Sequence, residues 1–350
     1  MPLRCVWSYL LCVADGSESA EPGQLALAWF SFGGKTYSRD GIPRAGAGRL
    51  DKALRLGEVQ SEAVAWSLGF DQPNLFSVAF DGNFHASLGA SGAYDITGGG
   101  EDQSALNLTL KDETLSANLV CGPVAISIDG KWRSSKNIAG EPDTSGTNVV
   151  AGLSAFRWRC IDFSGQLNVG DHARTLGGVA YFQQVHSYIP LLPWDWCFCV
   201  FPDGSIAGIS TLRVGRDLIA DFQHVQSDRI SRIDMTVFSR GFFLDGATGR
   251  LFRMKRSKVV RPLGEQERSV RRILASDGQG CRMQIDVTVQ SAHSFEFGRR
   301  MFPFPDRRFY YRSCAATVRG FSFQNDRDTR DSRFFRTGIC NLERTYGIMT

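Results

Sequence analysis

Two-residue alternation of apolar and polar side chains is the feature that most restricts how this chain can fold. In Met283-Gln284-Ile285-Asp286-Val287-Thr288-Val289-Gln290 every apolar residue falls on one face of an extended strand and every polar residue on the other. Ala105 to Lys111 and Val124 to Ile128 repeat the pattern. Seven Asp-Gly pairs, beginning at Asp15, Asp40, Asp81, Asp129, Asp203, Asp245 and Asp277, offer the positive φ angles of tight hairpin turns. Leu75 to Phe80, then Asp81-Gly82, then Asn83 to Leu88 predicts a hairpin turning at the Asp-Gly pair. Helical spacing is confined to Gly264–Ala275, through Val270, Ile273 and Leu274, and to part of 47–66. A doubly wound sheet needs long helices between its strands, so the scarcity of helical spacing argues against that class. The expected fold is all-β: two lipocalin-like antiparallel β-barrel or sandwich domains with one or two short helices.

A chain of 350 residues is long enough for two such domains. We place them at 1–170 and 171–350, with Arg133–Thr147 and Phe163–Gly178 as candidate linkers. Twenty-five Phe and seven Trp supply wide apolar rings that pack on pleated sheets or line an apolar cavity. The net charge of +4 conceals an asymmetry, because residues 251–350 hold 20 Lys and Arg against 10 Asp and Glu. These cations are scattered singly among strand residues, which reads as a solvated face. No nucleic-acid partner is expected, and peripheral contact with an anionic membrane stays open.

Nine Cys without a Cys-x-x-Cys, and five dispersed His, do not make a metal-ligand set. Cys197 and Cys199 share a strand face and read as buried free thiols in a reducing cytosol. Neither a nucleophile elbow nor a phosphate-binding Gly-rich loop occurs. Neither a metal nor a cofactor is therefore expected. The apolar stretch Cys5–Ala14 behind Arg4 reads as a first strand in a cytoplasmic protein, with a signal peptide as the alternative. No apolar run reaches the length that spans a bilayer as a helix.

The stretch from Gly177 to Trp196 departs from ordinary strand filler: a strand runs into a loop bounded by Pro190 and Pro193, and two Trp then flank Asp195. Alternation sends both indoles to one face and the Asp195 carboxylate to the other. The indoles either pack a core or form one wall of a ligand cavity.

Gly178-x-x-Tyr181 with His186, followed by Trp194-x-Trp196 and an Asp-Gly turn, resembles the signature of carotenoid 1,2-hydratases (hydroxyneurosporene synthases) and their AttH-like relatives. Gly338 to Gly347, with Glu343 and Thr345, is similar to the family's C-terminal strand. Where the hydratases carry a compact Asp-His-Asn-Trp-Gly block, this chain has Phe182-Gln183-Gln184-Val185-His186-Ser187. The resemblance implies paired lipocalin-like domains around a site for a hydrophobic isoprenoid or polyene, acted on by hydration, cyclisation or isomerisation; a non-catalytic carrier is the alternative. A carboxylic acid kept protonated by apolar surroundings can donate to an alkene, which makes Asp195 and Glu343 the candidate donors. His186 is a candidate proton relay, and Tyr181, Gln184, Trp194 and Trp196 are candidate ligand contacts.

Overall fold

The computed structural model describes residues 3–14, 23–69, 76–88, 94–111, 113–132, 147–150, 153–215, 235–260, 270–301, 304–325, 329–330 and 338–347. The first sheet contains β1 (Cys5–Ala14), β2 (Gly23–Phe32), β5 (Glu58–Gly69), β6 (Phe76–Leu88), β7 (Tyr94–Gly99), β8 (Ala105–Lys111), β9 (Thr114–Cys121), β10 (Val124–Trp132), β11 (Thr147–Val150), β12 (Leu153–Val169) and β13 (His172–Ser187). Its strand order is β10-β9-β8-β7-β6-β5-β2-β1-β13-β12-β11, and pairing of β10 with β12 closes ten of these strands into an antiparallel barrel. Closure leaves those strands no unpaired edge.

The second sheet contains β14 (Trp194–Val200), β15 (Ile206–Val214), β16 (Met235–Leu244), β17 (Leu251–Met254), β18 (Arg256–Val260), β19 (Val270–Ser276), β20 (Arg282–Met301), β21 (Phe304–Gln324), β22 (Thr329–Arg330) and β23 (Ile339–Gly347). Its main path runs β17-β16-β15-β14-β23-β21-β20-β19-β18. It curls until its ends meet, where the Ser239 hydroxyl donates to the Ser257 carbonyl at 3.1 Å. A hairpin of β3 (Gly34–Arg39) and β4 (Ile42–Gly48) leaves the first barrel between β2 and β5 and pairs with β20. A single short helix among the described residues, α1 (Leu50–Leu56), follows it and ends at Gly57, whose φ of 79° makes the left-handed cap. No helix among the described residues is long and apolar enough to cross a membrane.

Three apolar layers result. Val6, Leu10 and Leu27 point into the first barrel, and Cys197, Ile273 and Ile285 point into the second. Between the sheets lies a third layer, built from the outward faces of β1, β2 and β5 against β14, β20, β21 and β23. Strands in that interface are buried on both faces: nine of the ten residues of β1 and all nine of β23 are buried. Cys5–Ala14 is therefore a central strand, paired with β2 on one side and β13 on the other.

Several local expectations are corrected. β6 runs unbroken through Asp81-Gly82, and Gly82 is there because a Cβ would sit 2.1 Å from the Gly99 carbonyl oxygen of the neighbouring strand. Asp129-Gly130 likewise lies inside β10. By contrast, Asp40-Gly41, Asp203-Gly204, Asp245-Gly246 and Asp277-Gly278 do occupy turns, while Asp15-Gly16 is outside the described residues. Within Gly264–Ala275, residues 264–269 lie outside the described residues and the rest belongs to β19. The buried Arg271 shares a face with Ile273 and Ala275, so a charged residue hid the two-residue period. Phe163–Gly178 is the end of β12, a tight turn at Gly170 and the start of β13. Most of Arg133–Thr147 lies outside the described residues. The chain passes from the first sheet to the second after Ser187 and before Trp194; residue 170 is a hairpin tip.

Candidate functional site

The site lies between the two sheets. Trp7 and Tyr9 of β1, Phe30 of β2 and Trp66 of β5 form one wall, facing Trp194 of β14, Phe295 and Phe297 of β20, Phe309 and Tyr311 of β21, and Glu343 of β23. About 600 Å³ separates these walls with the open mouth counted, of which about 70 Å³ is free to the centre of a water-sized sphere. A closed-up cavity of that size holds a few waters or one ring without side-chain movement.

Aromatic packing shapes the walls. The Trp7 and Trp194 rings stack 5.8 Å apart at 6°. Trp66 meets Phe295 edge-on at 5.1 Å and Tyr311 at 6.0 Å. Phe30 meets Phe297 edge-on at 5.2 Å. Such pairs hold ring planes in fixed orientations and present flat faces to a conjugated or polycyclic guest.

Glu343 is the one carboxyl in the described lining, and it is 2% exposed. Asn341 Nδ2 donates to its Oε1 at 3.3 Å, and Trp194 Nε1 approaches Oε2 at 3.5 Å. Asn341 is held in turn by the Ser313 hydroxyl at 3.0 Å. The phenols of Tyr9 and Tyr311 lie beside the carboxyl and favour its ionised form, although neither hydroxyl makes a hydrogen bond of ordinary geometry. Burial outweighs all four donors and pushes Glu343 up to about 7. The same burial, with the carboxyl alongside, pushes both phenols well above their ordinary range. At neutral pH the carboxyl is thus divided between a proton-donating and a proton-accepting form.

A charged cluster closes one end of the layer. Glu62 on β5 is fully buried, with Arg39 Nε at 2.7 Å, Arg44 Nε at 3.8 Å and the Tyr37 hydroxyl donating at 3.0 Å. Burial pushes Glu62 up to about 7 against the pull of both guanidiniums. Arg39 also lies 5.9 Å over the Phe295 ring, tying the β3–β4 hairpin to the cavity wall.

The residues singled out from the sequence separate into groups. Trp194 and Glu343 meet in the cavity. Trp196 packs behind it, at 6.1 Å edge-on to Tyr9 and 4.8 Å from Tyr181. Tyr181 donates to Gln183 Oε1 at 2.9 Å, and it is Gln183 that borders the cavity. Gln184 is buried on the opposite face of β13, where it bonds Tyr94 inside the first barrel. His186 is opposite Val6, on that same inner side, and burial lowers its pKa. Asp195 points into the second barrel and pairs with Arg213 Nε at 3.2 Å. Asp195, His186 and Gln184 therefore do not reach the inter-sheet cavity.

Tyr9 and Tyr311 are not singled out by the sequence. Both are legible only as members of apolar alternations, and nothing local marks the face that meets the other sheet.

The sulfurs of Cys197, Cys199 and Cys340 converge inside the second barrel, all within 4.8 Å of one another. Burial pushes Cys199 and Cys340 well up, while hydrogen bonds from both draw Cys197 down. Three thiols are one donor short of a structural zinc set.

No protein-family model matches the sequence, and no curated protein matches it. Among solved structures, an AttH-type protein of Nitrosomonas europaea is similar to this chain at a TM-score of 0.56 and 12% identity, covering 98% of this chain and 92% of that one. Kievitone hydratase of Nectria haematococca is similar at a TM-score of 0.49 and 9% identity, covering 99% of this chain and 89% of that one. The closed ten-strand barrel, the curled second sheet and the Nitrosomonas likeness together give the fold: two lipocalin-like antiparallel β units packed on one another.

Proposed function

We propose that the cavity between the sheets, widened by movement of its aromatic side chains, binds a hydrophobic, conjugated small molecule of isoprenoid or polyene type, and that Glu343 transfers a proton to it. The single observation behind this reading is a buried carboxyl, raised to about 7, set in walls that are otherwise mostly aromatic and aliphatic. Burying a carboxyl costs several kcal/mol that a structural role does not require, whereas an acid near neutrality in a dry site can donate. The protonated Glu343 gives its proton to an alkene carbon, leaving a carboxylate and a carbocation facing the Trp and Tyr rings. Water addition with return of a proton to Glu343 completes hydration. Loss of a neighbouring C–H proton to the Glu343 carboxylate completes isomerisation; attack by a second alkene of the same molecule closes a ring and moves the cation, which then loses a C–H proton to the same carboxylate. All three begin with the same proton.

The experiment follows from that shared step. The small molecule that co-purifies with the protein is identified by native mass spectrometry and incubated with the protein in D₂O. Wild type is expected to place deuterium on carbon, and Glu343→Gln to bind the molecule without doing so, the pattern of a role confined to the transition state. Trp194→Ala is expected to weaken binding by about 1–3 kcal/mol through lost contact area. Recovery of the molecule unchanged and without deuterium from wild type would establish a carrier instead.

A further inference from the structure

A second cavity opens on the same face of the second sheet, beyond the Trp196–Tyr181 pair. Its floor is aromatic: Trp196, Tyr181 and Phe242, the last lying across Gly208, where a Cβ would meet the ring at 2.5 Å. Its rim is cationic: Arg240 on β16, Arg253 on β17 and Lys255 just beyond. No acidic residue occurs among the described residues of its wall. It is roomier than the first cavity, with about 920 Å³ between its walls, mouth included, and about 300 Å³ free to the centre of a water-sized sphere.

Several cations of this sheet have acidic partners. Arg213 is paired with Asp195, Arg272 with Asp286 and Arg308 with Glu296. Among the described residues Arg240, Arg253 and Lys255 make no ion pair, and the described contact of the Arg240 guanidinium is with its own strand neighbour Phe238, at 5.3 Å. Arg240 is opposite Ser210, and Arg253 is opposite Phe242, so the sheet register itself brings the charges to the edge of the aromatic floor. Unpaired like charges gathered at one mouth repel one another, and a bound anion relieves that repulsion.

We infer that this second cavity binds a small organic anion with a flat apolar body, the body lying on Trp196 and Phe242 and the carboxylate or phosphate head between Arg240, Arg253 and Lys255. Arginine forks hold an oxyanion through two parallel N–H bonds, and the aromatic floor excludes water from the other end. This inference does not depend on proton transfer by Glu343. Trp196 and Tyr181 line this second cavity and pack behind the first without bordering it, so occupancy of the second is read by the Trp196 indole.

The probe pair is 2-naphthoate and its neutral counterpart 2-naphthalenemethanol, with binding followed by calorimetry and by Trp fluorescence. The full chain is expected to prefer the acid by about ten-fold or more at low salt, and the preference should shrink as salt is raised. Arg240→Ala with Arg253→Ala should erase most of that preference while the urea midpoint stays put, since both side chains are exposed. Trp196→Phe should remove the fluorescence response but keep the calorimetric preference. Equal binding of acid and alcohol overturns the inference. So does a preference that survives the double Arg variant, one abolished by Trp194→Ala alone, or displacement of naphthoate by an equal concentration of inorganic phosphate, which would reduce the site to exposed charge.

Discussion

Replacing Glu343 by Gln keeps the size of the side chain and removes its charge, so the variant isolates what burying that charge costs. The carboxyl moves from an ordinary 4.5 to about 7 on folding, chiefly through desolvation. Each pH unit of such a difference corresponds to about 1.36 kcal/mol, so ionised Glu343 lowers stability by about 3 kcal/mol. The sign follows from proton binding: between pH 4.5 and 7 the folded state holds a proton that the unfolded state has released, so stability falls as pH rises through this window and is level above it. The Glu343→Gln variant lacks this dependence. It also replaces one acceptor oxygen by a donor nitrogen facing Asn341 or Trp194, an offset of about 0.5–1.5 kcal/mol that does not vary with pH. Urea unfolding of both proteins from about pH 4.5 to about pH 8.5 reads the difference directly. Glu62, raised to a similar range, is present in both and cancels. The variant is expected to be slightly less stable than wild type at about pH 4.5 and more stable by about 2 kcal/mol at about pH 8. A difference that stays flat across the range would refute the buried, proton-sharing carboxyl.

Gly178 pairs with Ala14 at φ 150°, and a Cβ there would sit 2.2 Å from the Val13 carbonyl oxygen. Gly178→Ala is therefore expected to lower the thermal midpoint markedly, at a cost of about 2 kcal/mol or more, because backbone rather than a flexible side chain must move. Arg39→Ala leaves Glu62 buried with only the more distant Arg44, and the expected loss is about 3–5 kcal/mol in urea unfolding; adding Glu62→Gln should restore a substantial part of it. If the double variant is as unstable as the single one, the Arg39 stem rather than its charge holds the hairpin.

The two-residue period identifies β8 and much of β20 residue for residue, because one face of each is dry and the other wet. It is silent about β1 and β23, where both faces are buried and no contrast remains. The aromatic wall is accordingly half legible. Trp194 stands out through its spacing from Trp196, and Glu343 through the motif around it, whereas Tyr9 and Tyr311 merge into apolar runs. Asp195 is the deceptive residue: its setting between two indoles suggests a shared pocket, and strand geometry sends it to Arg213 in the other core. Asp81-Gly82 misleads for a related reason. Glycine serves close backbone approach there rather than a turn, and the neighbour that requires it, Gly99, is remote in sequence.

The strand carrying Glu343 is the last of the described strands, yet it lies in the middle of its sheet, between β14 and β21. A ribosome must therefore release the chain through residue 347 before this slot is filled. Until then the outward rings of Trp7, Phe30 and Trp66 lack a complete facing wall, and β14 and β21 present open edges toward each other. Such a nascent chain is a natural client for holding chaperones, because exposed aromatic surface and unpaired strands are what invite aggregation. A chain stopped short of residue 339 would lose the buried Glu343 carboxyl, the seam of its second sheet and one side of the inter-sheet cavity together.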